Sequence, residues 1–283
     1  MCYKKWSPIS HNRDGAGSQD AHCFPAVDSM YQTELFHQLS VCIDLLESAA
    51  SVFARNIPRP RYVQYPRDHF EYDKPDVRIY AVLRCVRIVS DFRAVEVLLN
   101  LGHVQQVGVL LRTILEFTHD LDFVVEGSFV NPESRKRVNE MVSRFFAERF
   151  RDTKELLEEA NKEPTTPRKK IYAAIGRLLG FGNPHRPRQI AKALEDVYSG
   201  YVHGNYYHIM ELYNESTQKY EMSGQRVRFH EWLQYVALCI HPVFNVFSIV
   251  ASALGLTQLE QELINKRKDL EVSPLYQRKS IRR

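Results

Sequence analysis

Three residues that can perform acid–base or phosphate chemistry lie at helical spacing in one apolar segment, residues 104–123. Arg112, Glu116 and His119 are four and three positions apart, which places them on one face of an α-helix. The remaining positions of the segment are mostly apolar, so the helix is expected to be buried. Because Arg and Glu rarely enter a protein interior unless they are paired or functional, this polar line is the first candidate site.

The polar line has two interpretations. Arg112 and Glu116 can form an ion pair within the helix, and such a pair can serve only to fix how the helix packs. The six residues between Arg112 and His119 also match an R-x4-6-H spacing. In that arrangement a guanidinium binds phosphate oxygens and an imidazole transfers a proton.

A second cluster of polar and aromatic residues lies at the end of a helix predicted to begin at Arg188. Its candidate catalytic residue is His203, and its candidate ligand-binding residues are Tyr198, Ser199, Tyr201 and Asn205. Gly200 and Gly204 lie among them, and each glycine in a helical pattern costs about 1 kcal/mol relative to alanine. Either close packing or a functional role must therefore favour the glycines. The tyrosine rings suit either helix packing or stacking on a base.

The helix before the polar line carries a third set of polar residues at helical spacing. These are Arg84, Arg87 and Asp91. The two arginines are further candidates for binding a ligand, because a guanidinium can bind phosphate through two parallel hydrogen bonds.

Two motifs in the chain are shared with a known group of proteins. The first is Arg112-Thr-Ile-Leu-Glu116, and about 80 residues later comes Tyr198-Ser-Gly-Tyr-Val-His203-Gly. On these motifs, residues 76–254 resemble a bacterial family of uncharacterised helical proteins that is related to the HEPN superfamily and to abortive-infection (Abi-like) proteins. The resemblance implies an all-α, HEPN-like helical bundle.

The resemblance also implies an activity. In HEPN ribonucleases, the Arg and His of an R-x4-6-H motif cleave RNA without a metal, often across a dimer interface, which nominates Arg112 and His119 here. We expect Arg112, Glu116 and His203 to converge in a polar cleft, with His119 in a supporting role. The predicted function is a metal-independent endoribonuclease or RNA-binding effector of a bacterial stress or phage-defence system.

A non-catalytic function remains as the alternative. The same cleft in a regulatory helical module would bind a nucleotide or a protein partner, and a homodimer is one form of such a partnership. No phosphate-binding loop, dinucleotide fingerprint, H-E-x-x-H or G-x-S-x-G motif occurs in the chain. Because His203, His208 and Glu211 are poorly spaced for a shared ion, we expect no metal site and no cofactor.

Composition and charge are those of an ordinary globular protein. The 283 residues are 44% hydrophobic, and 38 Lys and Arg stand against 34 Asp and Glu. A basic segment between residues 164 and 192 either meets phosphate or is simply solvated. The five cysteines show no C-x-x-C pair and the N-terminus shows no secretory pattern, so a cytoplasmic location is expected. The basic segment contains Arg168, Lys169, Lys170, Arg177, Arg186, Arg188 and Lys192.

Apolar periodicity predicts helices and no strands. Asp76 is the expected N-cap of a helix that ends at Gly102, directly before the helix with the polar line. Other helices are predicted at 31–56, 132–160 and 169–179, and from residue 188 onward. The predicted organisation is a loosely docked N-terminal arm at 1–27, one helical bundle domain at 28–270, and a basic tail at 271–283.

The segment Trp232–Leu256 contains no Asp, Glu, Lys or Arg over 25 residues. That length is sufficient to cross a bilayer. Because polar residues including Gln234, His241 and Asn245 disfavour insertion, a central buried helix is expected instead, kinked or broken at Pro242. A membrane partner is therefore not expected.

Overall fold

Helices account for most of the chain in the computed structural model, which describes residues 29–64, 68–130, 134–147, 166–179, 183–224 and 229–273. A π-helical turn, Glu126–Val130, continues from the end of α3. The predicted all-α class is confirmed. The helices of the described residues are α1 (Ser29–Arg55), α2 (Val77–Leu101), α3 (Val104–Val125), α4 (Arg135–Ala147), α5 (Arg168–Leu179), α6 (His185–Val202), α7 (Tyr206–Met210), α8 (Phe229–Ala253) and α9 (Thr257–Val272).

Capping residues fix both ends of α2, the helix that precedes the polar line. Asp76 accepts hydrogen bonds from the backbone amides of Arg78 and Ile79 at 2.7 and 3.2 Å. Gly102 ends α2 in the left-handed conformation with φ of 80°, which favours glycine. Both predicted caps are confirmed. Because only two residues separate α2 from α3, the helices are antiparallel neighbours.

Two short hairpins interrupt the helical chain, so the prediction of no strands was wrong. β1 (Arg61–Val63) pairs antiparallel with β2 (His69–Glu71), and β3 (Tyr213–Asn214) pairs antiparallel with β4 (Lys219–Tyr220). With two or three residues each, these strands are too short to show the alternation of apolar and polar residues by which strands are predicted.

α3 and α8 form the centre of the bundle. α3 contacts α2, α5, α6 and α8, while α8 contacts α1, α2, α3 and α9. Together their apolar faces contribute to one hydrophobic core that includes Leu111, Ile114, Trp232 and Phe247, all fully buried. A polar side chain on the inner face of α3 is therefore covered by a neighbouring helix on almost every side.

α8 is the helix predicted either as a buried core helix or as a membrane span. Its segment Glu231–Ala253 is long and apolar enough to cross a membrane, but 61% of its most apolar window is buried inside the protein. The helix continues through Pro242 without interruption. The prediction of a central, buried helix is confirmed, and this burial is that of a core helix in a soluble protein.

The predicted outer segments fall largely outside the described residues. These include the arm at 1–27, residues 274–283 of the tail, and residues 148–160 of the predicted fourth helix. Within the described part, α4 begins at Arg135 and α6 begins at His185, three residues before the predicted start. The predicted helix at 169–179 is confirmed as α5.

Candidate active site

The inner face of α6 carries a buried carboxylate against α3. Ala191, Glu195 and Tyr198 are buried at spacings of four and three, so they form the stripe of α6 that enters the bundle. The side chain of Glu195 is only 2% exposed. A carboxylate in this position requires partners, because an isolated buried charge is strongly unfavourable.

Glu195 receives hydrogen bonds and ion pairs from two other helices, α3 and α5. His119 Nδ1 lies 2.5 Å from Glu195 Oε1, while the Tyr172 hydroxyl donates to Oε2 at 2.6 Å. Arg112 Nη2 lies 3.3 Å from Oε2. Arg168 donates to both oxygens of the carboxylate. Glu195 is therefore the point at which α3, α5 and α6 are joined.

Further ion pairs extend this arrangement in both directions. Arg168 Nη1 donates to Asp120 Oδ1 at 2.9 Å, and Arg84 Nη2 lies 3.8 Å from Asp120 Oδ2. At the other end, Arg112 Nη2 lies 2.7 Å from Glu116 Oε1. We call the set Arg84, Asp120, Arg168, Glu195, Arg112 and Glu116 the charge network. It contains as many guanidinium groups as carboxylates, so ionisation of all its members leaves no net charge.

Burial and hydrogen bonding shift the pKa values of Glu195, Asp120 and His119. Burial favours the neutral form of Glu195, but hydrogen bonds from His119, Tyr172 and Arg168 outweigh burial and lower the pKa to about 2. Burial raises the pKa of Asp120 to about 6, against the opposing effect of the two neighbouring arginines. Burial also lowers the pKa of His119, although Glu195 acts in the opposite direction.

These shifts define the tautomer of His119. An ionised carboxylate can only accept hydrogen bonds, so His119 Nδ1 carries the proton and donates it to Glu195. In the neutral imidazole that burial favours, Nε2 then holds the free lone pair. Nε2 is thus the nitrogen of His119 that can act as a base, and Arg112 contacts the other oxygen of the same carboxylate.

Of the four predicted catalytic residues, the structure brings three together. Arg112, Glu116 and His119 lie along one face of α3. Glu116 is the most exposed of the three, and His119 contacts the buried Glu195. His203 is exposed at the C-terminal end of α6. It is eight residues beyond Glu195, or about 12 Å along a helix. The predicted convergence of His203 with Arg112 and Glu116 is therefore not found, because the α6 face that reaches Arg112 is two turns earlier.

The two arginines predicted to bind a ligand on α2 have separate environments. Arg84 belongs to the charge network, and its guanidinium lies 4.4 Å from the centre of the Phe117 ring. Arg87 is 57% exposed and pairs with Asp91 of the same helix at 3.1 Å. Of the two, only Arg84 is connected to the cluster around Glu195.

The predicted aromatic cluster at the end of α6 is largely a packing arrangement. Tyr198 is buried, with its hydroxyl 3.7 Å from Cys239 Sγ. The Tyr201 ring packs 5.3 Å from that of Trp232, and its hydroxyl donates to Glu211 at 2.9 Å. Ser199 is half-buried and Asn205 is exposed. These residues contact one another and the core rather than the charge network.

Close packing explains Gly200 within α6 and a further glycine on α3. A Cβ atom at Gly200 would overlap the imidazole of His208, and one at Gly108 would lie 2.5 Å from Tyr201 Cγ. Gly204 instead follows the helix with a positive φ of 59°. Steric constraints are thus sufficient to account for these three glycines.

Gly108→Ala is expected to destabilise the protein by about 1–2 kcal/mol, because overlap with the Tyr201 ring exceeds the gain in helix propensity. The measurement is chemical denaturation of the wild type, both single variants and the Gly108→Ala/Tyr201→Ala double variant. When the ring is absent, the alanine should be neutral or stabilising. Equal destabilisation in both backgrounds would show that the ring is not the cause.

Three members of the basic segment form ion pairs. Arg168 belongs to the charge network, Arg177 donates to the buried Glu126 at 2.5 Å, and Lys192 pairs with Asp196. The remaining members lie on the solvent-facing sides of α5 and α6. They are Lys169, Lys170, Arg186 and Arg188. Neutralising these four residues breaks none of the ion pairs described above.

Within the described ranges, no group of three or more His, Cys, Asp or Glu residues is arranged to hold a metal ion. Comparison of the chain with models of protein families, with curated proteins and with solved structures gives no match. The arguments for a function therefore come from the side chains around Glu195.

Sequence reasoning missed the residue that organises the site, together with Asp120 and Tyr172. A signal for Glu195 was present, because it falls on the buried stripe of α6 between Ala191 and Tyr198. The same spacing argument that singled out Arg112 on α3 applies to it. Asp120 and Tyr172 offer no comparable signal, since their role depends on which helices meet.

Proposed function

We propose that the protein is a cytoplasmic, HEPN-like helical effector that binds RNA and cleaves it without a metal, with Arg112 and His119 as its catalytic residues. The observation that carries the proposal is the shared carboxylate of Glu195. Its two oxygens hold the guanidinium of Arg112 and the imidazole of His119. A phosphate-binding cation and a proton-transfer group are thereby held next to each other.

The geometry supports a division of labour between these groups. His119 Nε2 would accept the proton of a ribose 2′-hydroxyl as the 2′-oxygen attacks the adjacent phosphorus, while Glu195 stabilises the imidazolium that forms. The bond from phosphorus to the 5′-oxygen breaks and a 2′,3′-cyclic phosphate forms. The departing 5′-oxygen takes a proton from water, and the imidazolium then releases its proton to solvent. Arg112 would stabilise the negative charge that develops on the phosphate oxygens. Arg112 is 17% exposed and Glu116 is 38% exposed, so Arg112 is reached from the outer face of α3, and the His119 side chain, 6% exposed, lies behind it.

One observation favours a non-catalytic regulatory module as a second candidate. The charge network balances its guanidinium groups with carboxylates. A network that neutralises itself can serve to specify how the helices pack. In that case the surface of the bundle, rather than its interior, would bind a nucleotide, a protein partner or a second copy of the chain.

The test is incubation of purified protein with total cellular RNA in EDTA. Wild type is compared with Arg112→Lys and His119→Gln, and circular dichroism confirms that each is folded. If the proposal is correct, each substitution lowers the cleavage rate by roughly 100-fold or more. The matched control is Arg61→Ala, which removes an exposed arginine of β1 and should leave the rate unchanged.

RNA that remains intact with folded wild-type protein would contradict cleavage by this protein alone. The second candidate would then be favoured. RNA binding that falls steeply with salt and is weakened by neutralising Lys169, Lys170, Arg186 and Arg188 would indicate an RNA-binding module. Absence of RNA binding at low salt would indicate a protein partner.

A further inference from the structure

Arg112 uses only part of its hydrogen-bonding capacity within the protein. Its Nη2 lies 2.7 Å from Glu116 and 3.3 Å from Glu195. Its Nη1 is buried and has no hydrogen-bond partner in the protein. A guanidinium is a planar fork of donors that matches two oxygens of one anion. Because Glu116 and Glu195 both contact Nη2, neither carboxylate binds the guanidinium through two nitrogens.

The two carboxylates on Arg112 differ in how easily they can leave it. Glu195 is 2% exposed and is also held by His119 and Tyr172. Glu116 is 38% exposed, and its pair with Arg112 is formed within one helix at i,i+4 spacing. Partly exposed pairs of this kind contribute little to stability. Glu116 can therefore turn away from Arg112 at small cost, whereas Glu195 cannot.

We propose that Glu116 is an internal competitor that occupies Arg112 until a phosphate-type anion displaces it. The anion would bind Arg112 through Nη1 and Nη2 together, while Glu195 continues to hold the guanidinium in place. The proposal rests on the proposed function, because it concerns how the same arginine engages a phosphate. It assigns Glu116 a gating role instead of a catalytic one.

The charge balance favours an anion that displaces Glu116 from Arg112 over one that binds beside Glu116. The charge network is neutral as a whole, so an arriving anion meets no excess positive charge while Glu116 remains beside Arg112. When the Glu116 carboxylate turns towards solvent, water screens it and the guanidinium is left with an unsatisfied positive charge. Removing the carboxylate permanently should have the same effect.

The experiment compares wild type with Glu116→Gln, using inorganic phosphate as the probe and chloride at equal ionic strength as the reference. Phosphate affinity is measured by isothermal titration calorimetry at pH 7. Since a unit charge about 4 Å away is worth about fivefold in affinity in water and more near a protein surface, Glu116→Gln should bind phosphate at least about fivefold more tightly. Glu116→Ala should show the same gain.

Two controls assign the gain to Arg112. Glu262→Gln removes an exposed carboxylate from α9, which makes the same change in net charge, and should leave phosphate affinity unchanged. The double variant Arg112→Gln/Glu116→Gln should lose the gain. Equal phosphate affinity in wild type and Glu116→Gln, or a gain that persists without Arg112, would overturn the inference.

The result is separable from that of the RNA cleavage experiment. A gain in phosphate affinity while RNA stays intact would support the gating role of Glu116 and contradict cleavage. Cleavage by wild type with no gain in phosphate affinity for Glu116→Gln would support the proposed function and overturn the role of Glu116.

Discussion

Glu195→Gln is expected to lower the free energy of unfolding by about 3–5 kcal/mol at pH 7, which is the usual cost of breaking a buried ion pair by removing one charge. The substitution preserves the shape of the side chain, so no cavity forms. It leaves the positive charges of Arg112 and Arg168 facing a neutral amide in the interior. Guanidinium chloride unfolding followed by circular dichroism measures the change.

The adjacent residue provides a matched control for Glu195. Asp196 is exposed and pairs with Lys192 on the outer side of α6. Asp196→Asn removes a carboxylate at the next position but should change stability by less than about 1 kcal/mol. Similar effects of the two substitutions would mean that Glu195 does not organise the interior as its contacts imply.

The second large effect concerns a carboxyl group of α3 that lies outside the charge network. Asp122 is fully buried, its Oδ1 has no hydrogen-bond partner in the protein, and burial raises its pKa from 3.8 to about 7. Below pH 4 both the folded and the unfolded chain hold this proton. As the pH rises from 4 to 7, the unfolded chain releases the proton first, so the folded state loses stability across that window.

Asp122→Asn is therefore expected to gain stability relative to wild type as the pH rises. The difference in unfolding free energy between the two proteins should shift by on the order of 4 kcal/mol between pH 4 and pH 8. Because the other titrating groups are common to both proteins, the comparison isolates Asp122. Asp269→Asn, at an exposed position of α9, should show no such shift, and a flat difference for Asp122→Asn would refute the assignment.

The parts of the fold predicted correctly were those determined by local sequence. Asp76 and Gly102 bound α2 as expected, since capping depends on a side chain or a backbone conformation within a few residues. The buried state of α8 was predicted from the polar residues, including Gln234 and His241, that disfavour membrane insertion of its otherwise apolar sequence. The short hairpins were missed because neither contains enough residues to show a strand period.

Sequence spacing predicted only the part of the site that lies on α3. Arg112, Glu116 and His119 share a face of α3 by spacing alone, but the partner of Arg112 and His119 is Glu195, which lies 76 residues after His119. The sequence motif drew attention to His203 instead, since a glycine and a histidine at a helix end are conspicuous. Which turn of α6 meets α3 depends on tertiary packing, such as the close approach of Tyr201 to Gly108, which sequence periodicity does not specify.

The hydrogen bond between His119 and Glu195 also has a consequence for the order in which the chain folds. Three of the helices that cover α3, namely α5, α6 and α8, come after it in the sequence. On the ribosome, α1 to α3 emerge with the imidazole and Arg112 still in water, and the interior of α3 closes only after α8 has been synthesised. Contacts of such sequence separation slow folding, so the nascent N-terminal half should depend on chaperones until the second half arrives.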